Sequence, residues 1–160
     1  MHLWQLSEWT NYYDNPSIRK GLHLRFENSV NQCVRLSILK FCRWIRQEFY
    51  FPIRVVVYVK AAPHIVAKDK SKVYATFFGP ENHMQEPYIK LSTGQFDQLL
   101  TKEVERDDAL CIILTSLAHE LSHYFQWIND VELTEIGQER QASIYARAIL
   151  AEYSEVVEHP

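Results

Sequence analysis

What the chain has little of narrows its reading first. Three cysteines, Cys33, Cys42 and Cys111, form an odd set with no CxxC pair. That pattern argues against a disulfide framework and reads as reduced thiols packed as small apolar groups, with a cytoplasmic setting expected. No stretch is long and apolar enough to span a bilayer, and Met1–Trp9 has neither a cationic start nor an apolar run of the kind a signal peptide needs. Charge of one sign is also scarce: a net charge of −3 gives no general pull toward nucleic acid or anionic membrane, so neither is expected as a partner. Internal repeats, low-complexity segments and domain linkers are missing. With 160 residues, 47% of them apolar, one domain over 1–160 with a core of its own is the expectation. Trp4, Trp9, Tyr12 and Tyr13 are too many aromatics for a free tail, so residues 1–27 read as an N-terminal extension packed on that domain, with a turn at Asn15-Pro16.

Periodicity then orders the rest. Val30, Val34, Ile38, Phe41, Ile45 and Phe49 recur at helical steps, predicting a helix from an N-cap at Asn28 or Ser29 to about Tyr50, stopped by Phe51-Pro52. Its basic residues Arg35, Lys40, Arg43 and Arg46 fall largely off that stripe and read as a solvated face. Ile53–Lys60 is β-branched and apolar nearly throughout, the mark of a central strand. Lys72–Phe78 and Glu86–Leu91 read as two more strands, the last alternating as a strand with one wet side does, and so assigned to a sheet edge. A short helix from Gln95 to about Glu103 follows. A buried central helix comes next, capped at Asp107 or Asp108 and ending near Asn129-Asp130, and a last helix runs from Thr134 to about Val157.

One stretch of the central helix carries chemistry. Leu117-Ala118-His119-Glu120-Leu121-Ser122-His123-Tyr124 contains HExxH. Histidines at i and i+4 lie one turn apart on the same helix face, where two imidazoles can grip one Zn²⁺ while the intervening glutamate serves as general base on a metal-activated water. Catalytic zinc takes three protein ligands, and the best third candidate is Glu139 on the following helix. At 100° per residue Glu139 shares a face with Ala142, Ala146, Ile149 and Tyr153, so it should head a stripe packed toward the motif helix.

At these residues the sequence resembles the gluzincin metallopeptidases, and Glu139-Arg140-Gln141-Ala142 is similar to the ERxA-type segment of ImmA/IrrE-like peptidases. The resemblance implies an α+β, zincin-like fold: a backing helix, a small three-stranded twisted sheet, an active-site helix and a glutamate helix. It implies a zinc metalloendopeptidase with His119, His123 and Glu139 as ligands and Glu120 as general base, acting on a peptide or protein substrate. By that analogy Glu86–Leu91 is the edge strand that pairs with extended substrate. Two positions depart from the pattern. Ser143 stands where some gluzincins have an aspartate supporting a motif histidine, and no tyrosine or histidine is marked as oxyanion stabiliser among His64, Tyr74, His83 and Tyr124. SprT-like peptidases, which imply DNA-associated substrates, are the nearest rival, but they resemble a third-histidine pattern, and no histidine follows His123 until His159. Two further readings are open: a non-peptidase role with a latent or structural zinc site, His159 or a tail carboxylate serving as fourth ligand, and a regulatory zinc-binding interaction protein that binds a transcription factor and cleaves it only under a signal.

Overall fold

A computed structural model of the chain describes residues 2–11 and 17–160. Tyr12, Tyr13 and the expected turn at Asn15-Pro16 lie outside the described residues. After two 3₁₀ turns, Leu3–Gln5 and Glu8–Asn11, the order is β1 (Leu22–Phe26), α1 (Gln32–Glu48), β2 (Val55–Lys60), β3 (Ile65–Val66), β4 (Lys72–Val73), β5 (Ala75–Phe78), β6 (Tyr88–Ser92), α2 (Gln95–Thr101), α3 (Arg106–Ile128) and α4 (Glu135–Ser154). The architecture is α+β: a four-stranded mixed sheet ordered β1-β2-β6-β5, and a separate two-stranded hairpin of β3 and β4. β1, β2 and β6 run parallel, and β5 closes one edge antiparallel to β6.

The parallel pair β1 and β2 needs a crossover, which α1 supplies. Its stripe of Val34, Ile38, Phe41 and Ile45 is fully buried. On the sheet's inner face Val55, Val57, Val59, Ile89 and Leu91 are likewise inaccessible. α3 lies in the middle of this core, with Leu117, Ala118, Leu121 and Tyr124 at zero exposure. Tyr124 ties it to the sheet: its hydroxyl donates to the Ile53 carbonyl at 2.6 Å and accepts from the Ile53 N–H at 3.1 Å. α4 packs on α3 through Ala142 and Ala146, both buried and small enough to let the helices close. The N-terminal segment is fastened to α3 as well. Trp4 is buried, stacks on Phe125 at 5.0 Å between ring centres, and donates its indole N–H to Ser122 Oγ at 2.9 Å. All three cysteines are free, and burial pushes the Cys42 thiol up to about 12.

Several expectations are corrected. The main sheet has four strands, not three, because Leu22–Phe26 joins it. That five-residue alternation becomes a strand only by pairing with β2 across the intervening α1. The strand expected over Lys72–Phe78 is split: Lys72–Val73 pairs with β3, whereas Ala75–Phe78 pairs with β6. The strand expected over Glu86–Leu91 begins at Tyr88, after Pro87, and lies between β2 and β5. The edge strand is β5. Inside/outside alternation marks every strand of a sheet covered on one face and does not separate edge from interior. Helix caps also shift. α1 is capped by Asn31, whose side chain accepts from the Cys33 N–H, rather than by Asn28 or Ser29. α3 has Glu105 at its N-cap, with Asp107 and Asp108 in its first turn. Thr134 caps α4 as expected, but the helix ends at Ser154. No described helix is long and apolar enough to cross a membrane.

Candidate metal centre

The site is built where α3 and α4 meet beside β5. α3 turns its apolar residues to the core and leaves His119 and His123, one turn apart, on the face beside α4. Their Nε2 atoms are 3.2 Å apart. From α4, Glu139 places Oε2 3.0 Å from His119 Nε2 and Oε1 3.1 Å from His123 Nε2. Tetrahedral zinc with bonds of about 2.0–2.1 Å separates its ligand atoms by roughly 3.3 Å. The two Nε2 atoms, 3.2 Å apart, match that spacing, and the Glu139 carboxylate straddles the pair with one oxygen 3.0 Å from His119 and the other 3.1 Å from His123. The donor set, two imidazoles and one carboxylate, also suits a catalytic zinc with room for a fourth ligand.

Hydrogen bonds orient these side chains. His123 Nδ1 is 2.8 Å from Gln126 Oε1, and the Gln126 amide nitrogen donates to the Gln138 carbonyl at 2.9 Å and to Gln141 Oε1 at 3.0 Å. With its NH₂ directed at two acceptors, Gln126 presents an oxygen to the ring. His123 Nδ1 must therefore carry the proton, which leaves the Nε2 lone pair free for a cation. Ser143 Oγ lies 3.4 Å from His119 Nδ1, a long contact directed at the corresponding nitrogen of the other imidazole. A hydroxyl that faces the ring thus stands where some gluzincins have the supporting aspartate. Burial lowers the pKa of His119 and the neighbouring His123 adds to the fall, with Glu139 opposing both. The outcome favours neutral imidazole, the form that ligates metal.

Glu120 is 9% exposed and opens onto the same cleft. Its carboxylate accepts a hydrogen bond from the Phe77 backbone N–H. Burial, reinforced by the charge of Glu139, pushes its pKa up to about 8. The cleft has a volume of about 640 Å³, and its walls include Phe77 of β5, Gly79, Trp127 of α3 and Glu139 of α4. Gly79 is there because the space is taken: a Cβ on it would come within 2.6 Å of Trp127 Cδ1. The Trp127 indole donates to the Pro80 carbonyl at 3.0 Å, which locks the chain leaving β5 onto α3.

The structure brings His119, His123, Glu139 and Glu120 to one cleft, but Glu139 differs from expectation in one respect. Its side chain is 59% exposed rather than packed in the core, because the α4 stripe turns inward only from Ala142 onward. The carboxylate instead folds over both imidazoles from the solvent side. Of the four oxyanion candidates, Tyr124 is withdrawn, since its hydroxyl is bonded to Ile53, and Tyr74 is exposed. His83 stands at the cleft rim, 4.7 Å from the Trp127 ring and 3.4 Å from the Asp130 carboxylate. The tail does not reach the metal centre. His159 Nδ1 lies 2.6 Å from Asp107 Oδ2, and its carbonyl accepts from Lys40 Nζ at 2.7 Å, about three turns of α3 before His119. Gln126 and the Phe77 N–H belong to the site without having been expected there. Gln126 had a signal in the sequence, lying one turn after His123 on the same face; Phe77 had none. No protein-family model, curated protein or solved structure matches this chain.

Proposed function

We propose that the chain is a zinc-dependent metallopeptidase of zincin-like, gluzincin-type build, hydrolysing peptide bonds of a peptide or protein substrate in the cytoplasm. The observation that carries this reading is the His119–His123–Glu139 triangle with the buried carboxyl of Glu120 beside it in a cleft open to solvent. His119, His123 and Glu139 would hold the ion; Gln126 and Ser143 steady the two imidazoles. Bound there, Zn²⁺ supplies Lewis acidity, bringing the pKa of a water toward neutrality and polarising the scissile carbonyl.

The remaining steps belong to the protein. Glu120 accepts the proton of the attacking water and delivers it to the departing amine. Its hydrogen bond from the Phe77 N–H keeps the carboxylate at the edge of β5. Substrate is held by that edge. The Tyr74 carbonyl accepts from the Ser92 N–H, so alternate residues bond to β6 while Ala75 and Phe77 turn their backbone groups the other way; with the Phe77 N–H given to Glu120, the Ala75 N–H and the Ala75 and Phe77 carbonyls are left for a substrate strand. An extended peptide adds to β5 by strand pairing, which moves the proposed substrate contact from Glu86–Leu91 to Ala75–Phe78.

The test pairs two variants. Glu120→Gln should keep bound zinc at one per chain and lose hydrolysis of an unfolded protein substrate. Glu139→Ala should weaken zinc binding in a chelator competition. Zinc affinity unchanged in the second variant, or full activity in the first, would overturn the assignment.

A further inference from the structure

The four-stranded sheet has two unlike faces. One is packed under the helices. The other carries His23 and Arg25 on β1, Tyr58 on β2, Tyr88 and Lys90 on β6, and Phe78 on β5, all exposed or half-buried. Tyr58 meets Tyr88 edge to face at 6.0 Å, and Tyr88 stacks on Phe78 at 5.0 Å, so an aromatic row crosses three adjacent strands. Cations surround every ring of the row. Arg25 and Lys60 lie 6.0 and 5.9 Å from the Tyr58 centroid, Lys90 lies 5.9 Å from Tyr88, and Lys68 lies 4.2 Å from Phe78. Lys68 is the close contact, and the other three cations lie at the outer limit of such interactions, about 6 Å, so together they place four positive side chains around three rings of one face.

Two carboxylates offset part of this charge: Glu27 pairs with Lys60 at 3.8 Å, and Asp69, beside Lys68 in the sequence, accepts two hydrogen bonds from Ser71 that favour its ionised form. Arg25, Lys68 and Lys90 form no ion pair among the described residues, so four cations against two carboxylates leave the face with a positive excess on a chain whose net charge is −3. Mean charge argued against nucleic acid; the distribution of charge argues for it.

We propose that this sheet face binds single-stranded nucleic acid, with phosphates on Arg25, Lys60, Lys68 and Lys90 and bases against the Tyr58–Tyr88–Phe78 row. Backbone cations combined with aromatic platforms are how unpaired strands are held, since every base offers a π-face. A duplex keeps its bases stacked and leaves the rings unused, and an acidic peptide supplies nothing to stack on them. From β1 to β5 the face spans three inter-strand gaps of about 4.8 Å, or roughly 14 Å, room for two or three nucleotides. A groove of about 610 Å³ runs from Lys68, Lys90, Phe78 and Tyr88 to Phe77 and Glu139, joining this face to the rim of the metal centre. Strand binding on this face does not depend on a metal being held there.

The test is fluorescence anisotropy with a labelled 20-nucleotide oligothymidylate, using the full chain with and without zinc. Binding should weaken with added salt at a slope of about −2 to −3 in log K against log salt, as four cations on a single strand require. Lys68→Glu combined with Lys90→Glu should weaken it at least tenfold. Tyr88→Ala should weaken it about 5- to 100-fold without changing the salt slope, while Tyr88→Phe, which keeps the ring, should bind like the wild type. The proposal is overturned if the oligonucleotide does not bind at 50 mM salt, or if correctly folded charge and ring variants bind as the wild type does. Equal affinity for a duplex of the same length, or displacement by polyglutamate as readily as by unlabelled strand, would overturn it too.

Discussion

Replacing Glu120 with glutamine should stabilise the metal-free protein, and the gain should grow with pH. In the fold the Glu120 carboxyl is 9% exposed, and burial with the charge of Glu139 lifts its pKa from 4.5 to about 8. Below pH 4.5 the group is protonated whether the chain is folded or unfolded, so it contributes no pH-dependent penalty. Between 4.5 and 8 the folded protein holds a proton that the unfolded chain has released, and stability therefore falls as pH rises. Above about 8 the carboxyl is ionised in both states and the penalty is complete. At 1.36 kcal/mol per pH decade the full penalty is roughly 4–5 kcal/mol, a large part of the 5–15 kcal/mol that ordinarily holds a domain together. Glutamine removes that penalty while keeping an oxygen for the Phe77 N–H. Urea unfolding of EDTA-treated wild type and Glu120→Gln at pH 5, 6.5 and 8.5 measures the difference directly. The two should be nearly equal at pH 5, with the variant ahead by about 3–5 kcal/mol at pH 8.5. A difference that does not change with pH, or a variant less stable than wild type at pH 8.5, would refute the idea that burial sets this pKa.

Three more perturbations test other parts of the structure. Gln126→Ala removes the acceptor that fixes the His123 tautomer and should lower zinc affinity about 10- to 100-fold in a chelator competition, whereas Gln126→Glu, which keeps an acceptor oxygen, should lose less. Trp4→Phe loses the 2.9 Å bond to Ser122 and some packing against Phe125, and should lower unfolding stability by about 1–3 kcal/mol, which would show that the N-terminal segment belongs to the cooperative fold. Gly79→Ala forces a methyl to 2.6 Å from Trp127 Cδ1 and should cost about 1–3 kcal/mol, with a non-additive result when combined with Trp127→Ala in a double-mutant cycle.

The division between what could be read ahead and what could not follows the range of the interactions. His119 and His123 share a helix face because of local geometry, and four-residue spacing states that directly. The Val34–Ile45 part of the α1 stripe and the Thr134 cap are local in the same sense and lie where the pattern put them, while Val30 and Phe49, the ends of that stripe, are buried outside the helix. β1 is different. Leu22–Phe26 acquires strand identity from hydrogen bonds to Val55–Val59, beyond an entire helix, and five residues of alternation do not say whether a partner exists. The edge assignment failed for a related reason: Tyr88–Ser92 and Ala75–Phe78 lie side by side in one sheet, and only their neighbours decide which is outermost. Glu139 falls between these cases. Periodicity aligned it with Ala142 and Ala146, yet position at the end of an amphipathic stripe sets the direction of a Cβ and not the burial of a long side chain. What brings its carboxylate over the two imidazoles is the approach of α3 to α4, and that approach depends on Ala142 and Ala146 being small. Enlarging Ala146 should therefore loosen the His119–His123–Glu139 cluster without touching any of its members, because Glu139 is positioned by helix packing rather than by spacing along the chain.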